Sequence, residues 1–174
     1  MSGSGYPNLR YRKTMDFLKR HIPPGGHVLD MGTRNPFSEL MDREGYIVTS
    51  TGGEDLDNDF TTIDNFGGDC YTSFELFEHL LAPYNILRRI EKGRLVASVP
   101  LKVWFSPAYW NKSAEWDRHY HEFEPRQFDW LLQKSGWTII SSEKWTSPDR
   151  FRPGIRPLLR YIWPSYYFIY AEKG

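Results

Sequence analysis

Cysteine occurs once in the 174 residues, as Cys70. That excludes an internal disulfide framework and fits a reducing, cytoplasmic setting. Charge of a prevailing sign is missing as well. Twenty-two Lys and Arg balance 22 Asp and Glu, so the overall field favours no polyanionic partner, and no nucleic-acid motif is present. No apolar run approaches the roughly 20 residues that cross a bilayer, so no transmembrane segment is expected. The opening Met1-Ser-Gly-Ser-Gly5 lacks the charged and apolar regions of a signal peptide, and residues 1–7 are expected to be a flexible tail. One further scarcity is local. In His27-Val28-Leu29-Asp30-Met31-Gly32-Thr33-Arg34-Asn35-Pro36-Phe37 an apolar run ends in an acid and a glycine, then leads into a helix. Parallel-sheet proteins present such a loop and helix N-terminus to a nucleotide-like ligand. Yet no glycine follows Gly32 here; Arg34 and Pro36 stand instead.

Aromatics are abundant, at 17% of the chain, and cluster after Val103. Residues 8–21 carry Tyr11, Met15, Leu18 and Ile22 at helical spacing, stopped by Pro23-Pro24-Gly25-Gly26. Strands are predicted at Val28-Leu29, Tyr46–Thr49, Cys70–Phe74, Arg94–Val99, Trp137–Ile140 and Tyr166–Ala171. Helices are predicted around Phe37–Met41, from Pro83 through Ile90, and from Glu124-Pro125 to a stop at Gly136. Strands alternating with helices predict an α/β fold, a Rossmann-like and mostly parallel sheet with helices on both faces. The length suits a single domain over residues 8–174. A lid-like aromatic loop is expected at 100–123 and a basic aromatic insertion at 147–164.

Four segments carry a family resemblance. They are Val28–Gly32; Asp69–Leu80 with its Glu78-His79-Leu80; Lys92–Pro100; and His119–Phe123 followed by Pro125, Phe128, Leu131, Leu132 and Gly136-Trp137. In order and spacing they resemble the first, fourth and fifth strands and the approach to the sixth in class I S-adenosylmethionine-dependent methyltransferases, particularly the small-molecule branch called type 11 or type 23. The glycine loop is degenerate. The resemblance covers roughly residues 20–145 and implies an antiparallel last strand at Tyr166–Lys173. About 16 residues separate Gly53 from Asp69, where relatives fit a helix and another strand, so the region after strand two is expected to be shortened.

The resemblance also implies a site. The loop after the first strand wraps the methionine end of S-adenosylmethionine, which assigns Asp30, Gly32, Thr33 and Arg34 to the cofactor. Glycine there allows close approach by backbone N–H groups. Relatives end strand two with an acid that accepts the ribose hydroxyls; here the aligned end is Ser50-Thr51-Gly52-Gly53. Gly52, Glu54 and Asp55 are assigned to the cofactor if the glycines turn the chain sharply, and otherwise form an acidic surface loop. Phe74 and Glu75 correspond to positions lining cofactor and substrate, while Glu78-His79 reads as a structural pair that opens the next helix. Pro36 has two readings, an ordinary helix-starting proline or a loop reshaped so that the methionine pocket is partly closed.

Methyl transfer is an in-line displacement, so the protein mainly positions the nucleophile, with a base needed for a hydroxyl acceptor. Candidate bases are His119, His121, Glu122 and Glu75. His121 is preferred, with Glu75 as its companion, because imidazole titrates near neutral pH. His119 and His121 alone do not specify a metal site, and no metal is assigned. Trp104, Phe105, Tyr109, Trp110 and Trp116 are expected over the carboxyl ends of the strands, as a lid or as packing. The segment Pro148–Pro164, with Arg150, Arg152, Arg156 and Arg160, suits either a helix over the sheet edge or contact with a membrane surface or lipid-linked substrate. The functional expectation is transfer of a methyl group from S-adenosylmethionine to a small-molecule substrate. The rival is an inactive methyltransferase-like binding or scaffold protein. A dinucleotide-dependent oxidoreductase would need the same missing glycines and would leave the other three segments unexplained. Oligomeric state and acceptor identity are not legible.

Overall fold

A computed structural model describes residues 9–146 and 155–174. The expected tail at 1–7 and the part of the insertion at 147–154 lie outside these residues. In chain order the elements are α1 (Leu9–His21), β1 (His27–Thr33), α2 (Pro36–Arg43), β2 (Ile47–Thr51), α3 (Thr61–Asp64), β3 (Cys70–Phe74), α4 (Pro83–Arg89), β4 (Gly93–Pro100), α5 (Pro125–Lys134), β5 (Thr138–Trp145), α6 (Ile155–Ile162) and β6 (Tyr166–Lys173). Single 3₁₀ turns at Phe77–His79 and Glu115–Asp117 complete the set.

The six strands form one sheet in the order β2-β1-β3-β4-β6-β5. β1 pairs parallel with β2 and β3, and β3 pairs parallel with β4. Only β6 runs against its neighbours, β4 and β5. This is the mostly parallel Rossmann-like sheet with an antiparallel last strand that the sequence predicts.

Alternation along the strands explains why helices cover both faces. Val28, Cys70, Val96, Phe168 and Tyr170 pack with Met15, Phe17 and Leu18 of α1 and Leu40 and Met41 of α2. Their sequence neighbours Leu29, Tyr71, Leu95, Ile169 and Ala171 point the other way, onto Ile86 and Leu87 of α4 and Phe128 and Leu132 of α5. A two-residue period on a strand sends successive side chains to opposite faces, and each face needs its own apolar cover.

Two boundaries move. β5 continues to Trp145, past the expected Ile140, because Ser141-Ser142-Glu143-Lys144 is polar on both faces and reads as loop. Between β2 and β3 the chain forms only the four-residue α3, which the sequence reading did not anticipate. The expected shortening is therefore present, and β2 becomes an edge of the sheet.

Candidate active-site cleft

The carboxyl ends of β1, β3 and β4 open into a cleft of about 830 Å³. Its floor is Asp30–Thr33 from β1 and Phe74-Glu75 after β3. One wall comes from Arg10 and Tyr11 of α1, another from Pro100-Leu101, Tyr109, Trp116, His119 and Glu122. Open α/β sheets bind ligands at this end.

The Gly32 loop is locally over-determined. Gly32 has φ +125°, a conformation that L side chains rarely adopt, and a Cβ there would meet no atom within 4 Å. Its N–H donates to the Thr51 hydroxyl at 2.8 Å. Asn35 then caps α2, its side-chain oxygen accepting from the N–H groups of Phe37 and Ser38, while Ser38 Oγ accepts from the Asn35 N–H. Pro36 takes the first position of α2, where no N–H is needed. Arg34 turns outward and pairs with Asp42 of α2. Neither Arg34 nor Pro36 lines the cleft, whereas Gly32, Thr33 and Asn35 do. Of the two readings of Pro36, the helix-starting one describes its position.

Asp30 lies on the cleft floor but is 3% exposed, with one carboxylate oxygen accepting from Ser38 Oγ (2.6 Å) and the other from Thr72 Oγ1 (2.8 Å). Burial pushes its pKa up to about 6 against the lowering effect of these two hydroxyls. Its role is to tie β1, β3 and α2 together under the loop.

Glu75 is the one non-glycine residue with positive φ (56°) among the described residues. Its N–H donates to the Ser98 carbonyl, and both carboxylate oxygens accept from Arg10 Nη1 at 2.7 and 2.6 Å. Burial raises its pKa, with Arg10 opposing. A strained backbone that survives next to a cleft is held by its surroundings. Phe74 lines the cleft beside it, edge-on to Phe37.

The Gly52–Asp55 turn approaches the same loop. Gly53 has φ +94°, and a Cβ on it would lie 3.6 Å from Thr33 Oγ1. Glu54 accepts from the Gly52 N–H with one oxygen, while its other oxygen, Oε1, is buried and has no partner among the described residues. Asp55 is committed to its own turn, accepting from the Asp57 N–H and the Asn58 side chain. Gly52, Glu54 and Asp55 are not part of the cleft lining.

At the opposite end the histidines sort differently from the expectation. His121 is outside the lining; its Nε2 lies 3.3 Å from the Leu81 carbonyl and its ring stacks on Phe123. His119 lines the cleft together with His79, Glu78, Glu122 and Asp117. Burial, with His79 nearby, lowers the pKa of His119. Tyr109 and Asn111 donate to Asp117 and hold its carboxyl below the usual range. Glu78 is 1% exposed, and burial drives its pKa well upward. Arg10, Glu78 and His79 were not assigned to the site from sequence. A long basic side chain on an amphipathic helix gives no sign that it bridges to another element, and Glu-His read as a capping pair.

Of the aromatic loop, Tyr109 and Trp116 face the cleft, the latter 81% exposed. Trp104 and Phe105 stand edge to face and, with Ile155 and Leu159 of α6, border a second hollow. Arg160 of α6 reaches the main cleft.

The sequence matches no family model and no curated protein. In structure the chain is similar to S-adenosylmethionine-dependent methyltransferases. The Burkholderia thailandensis 1,6-didemethyltoxoflavin-N1-methyltransferase, solved with 1,6-didemethyltoxoflavin and S-adenosylhomocysteine, has TM-score 0.64 and 19% identity over 96% of this chain and 79% of its own. A Mesorhizobium loti S-adenosylmethionine-dependent methyltransferase has TM-score 0.65 and 12% identity over 96% of this chain and 99% of its own. The [4+2]-cyclase SpnF has TM-score 0.57 and 13% identity over 94% of this chain and 81% of its own. The fold is that of the class I S-adenosylmethionine-dependent methyltransferases.

Proposed function

We propose that this chain binds S-adenosylmethionine in the cleft and transfers its methyl group to a small-molecule acceptor. The observation that carries the reading is the cleft itself, open above a Gly32 loop whose two bulky substitutions turn away from it. The residues present fit the cofactor. Gly32 and Thr33 line the cleft and leave room for the methionine end. The bound cofactor supplies an electrophilic methyl on a sulfonium.

The protein's own work is placement. Phe74 and Glu75 set the cleft floor, with Arg10 holding the Glu75 carboxylate in one orientation. Tyr109 and Trp116 cover the acceptor end and limit water there. His119 and Glu122, 3.7 Å apart, face the acceptor in the place assigned to His121 from sequence.

Calorimetric titration with S-adenosylhomocysteine tests the reading. Saturable heat is expected, reduced at least tenfold in Gly32→Ala, which forces a side chain onto a positive φ at the cleft wall. Absence of heat and of any thermal shift at millimolar ligand would overturn it. That result would favour the second reading, a binding or scaffold protein, which the trimmed segment after β2 and the Arg10–Glu75 bridge support. SpnF, named for a cyclisation, is a reminder that this fold does not fix the reaction.

A further inference from the structure

Glu78, His79 and His119 bring three donor atoms within 4.8 Å of one another at the acceptor end of the cleft. We propose that they form a binding site for one divalent late first-row metal ion, zinc foremost. The first supporting observation is the Glu78 side chain. It is 1% exposed, and its Oε2 has no hydrogen-bond partner among the described residues, although the residue lines the cleft. A buried carboxyl oxygen without a donor is costly, and a bound cation removes that cost.

The second observation is how the site is assembled. The Glu78 carbonyl accepts from the N–H groups of Tyr120 (2.7 Å) and His121 (3.2 Å), clamping the 119–121 segment onto the Phe77–His79 turn. His79 Nδ1 lies 3.0 Å from the Arg118 carbonyl. A carbonyl only accepts, so Nδ1 carries the proton and Nε2 presents its lone pair, 3.9 Å from Glu78 Oε1. Metal-bound histidines are oriented by this kind of hydrogen bond on the far nitrogen. The His119 ring stands edge-on to that of His79, with centroids 4.7 Å apart. Residues 40 apart in sequence are thus fixed on each other by backbone bonds, before any ion arrives.

Donor chemistry selects the ion. Two imidazoles and one carboxylate suit zinc and its neighbours, whereas magnesium and calcium prefer oxygen ligands throughout. Donors about 2.1 Å from an ion stand roughly 3.4 Å apart, so closure needs side-chain shifts of about 1 Å. Three protein ligands leave a coordination position free, as in sites that also hold a substrate. Here it would open toward the cleft, where an oxygen-bearing acceptor would be held and its hydroxyl acidified. His119 would then hold the ion and would not itself take the proton.

The site does not depend on the cofactor reading, and its test uses no cofactor. Full-length protein is stripped with a chelator and titrated with Zn²⁺ by calorimetry, then with Co²⁺ followed by visible absorption. One equivalent per chain is expected, with a raised Tm for the loaded protein. Glu78→Gln and His119→Asn are each expected to weaken binding at least tenfold, and His121→Asn to leave it unchanged. Metal-free Tm values confirm that each variant is folded. The proposal is overturned if wild type shows no saturable binding, or if Glu78→Gln and His119→Asn bind as tightly as wild type.

Discussion

Asp30 carries a buried ionisation on the sheet side of the cleft. Its native pKa, raised from 3.8 to about 6 by burial, means the folded chain holds this proton more tightly than the unfolded chain. The resulting stabilisation is complete below about pH 4 and is lost as pH rises through about 6. Two pKa units correspond to at most about 3 kcal/mol. Asp30→Asn has no proton to lose there. Denaturant unfolding of both proteins from about pH 4 to pH 7 should show wild type losing about 2–3 kcal/mol relative to the variant, and parallel curves would refute the burial argument. Subtraction removes the contributions of Glu75 and Glu78, whose pKa values are also raised by burial. Individual site residues were legible unevenly. Asp30, Gly32, Thr33, Phe74 and Glu75 fall in the cleft because each sits at a strand end, and strand ends are visible in a sequence. The choice between His119 and His121 was not visible. It depends on two N–H bonds to the Glu78 carbonyl, a contact across 40 residues that no local pattern encodes.

Among the elements, α2 has the clearest division of labour. It is eight residues long, starts on Pro36, and takes its first-turn hydrogen bonds from Asn35. Because Ser38 in that turn also donates to Asp30, the cap stabilises the loop as well as the helix. Replacing Asn35 by Ala removes an acceptor for two N–H groups and should cost about 1–2 kcal/mol. For a chain of this size that lowers Tm by about 2–6 °C, readable by calorimetry or circular dichroism. An unchanged Tm would show that the cap contributes nothing. The long alternating strands and proline-started helices were readable because their signals are local and repeated. The four-residue α3 was missed because one turn has no periodicity, and the far half of β5 because Ser141-Ser142-Glu143-Lys144 carries no apolar face. The aromatic loop was located, but which rings face the ligand was not: Trp116 and Tyr109 border the cleft while Phe105 is buried under Trp104.

Taken whole, the molecule is a sheet with two apolar faces and one functional end. Its six strands and its mostly parallel character are the part of the protein that sequence reasoning recovered most completely. The strands came from β-branched and aromatic runs separated by turn residues and the antiparallel last strand from the family resemblance, whereas the strand order emerged only from the structure. The missing helix and strand after β2 have a further consequence. β2 is five residues long, and among the described residues no strand lies beyond it. Under the proposed function, a nucleoside seated over the ends of β1 and β2 would therefore be flanked beyond β2 by the Gly52–Asp55 turn and not by a further strand. If the chain acts as proposed, such a ligand leaves with only that short turn to displace, so spent cofactor should leave quickly and the slow step of turnover should be the chemistry. Rapid-dilution measurement of S-adenosylhomocysteine dissociation checks this: a rate well above kcat is expected, and a rate equal to kcat would mean that something else closes that flank.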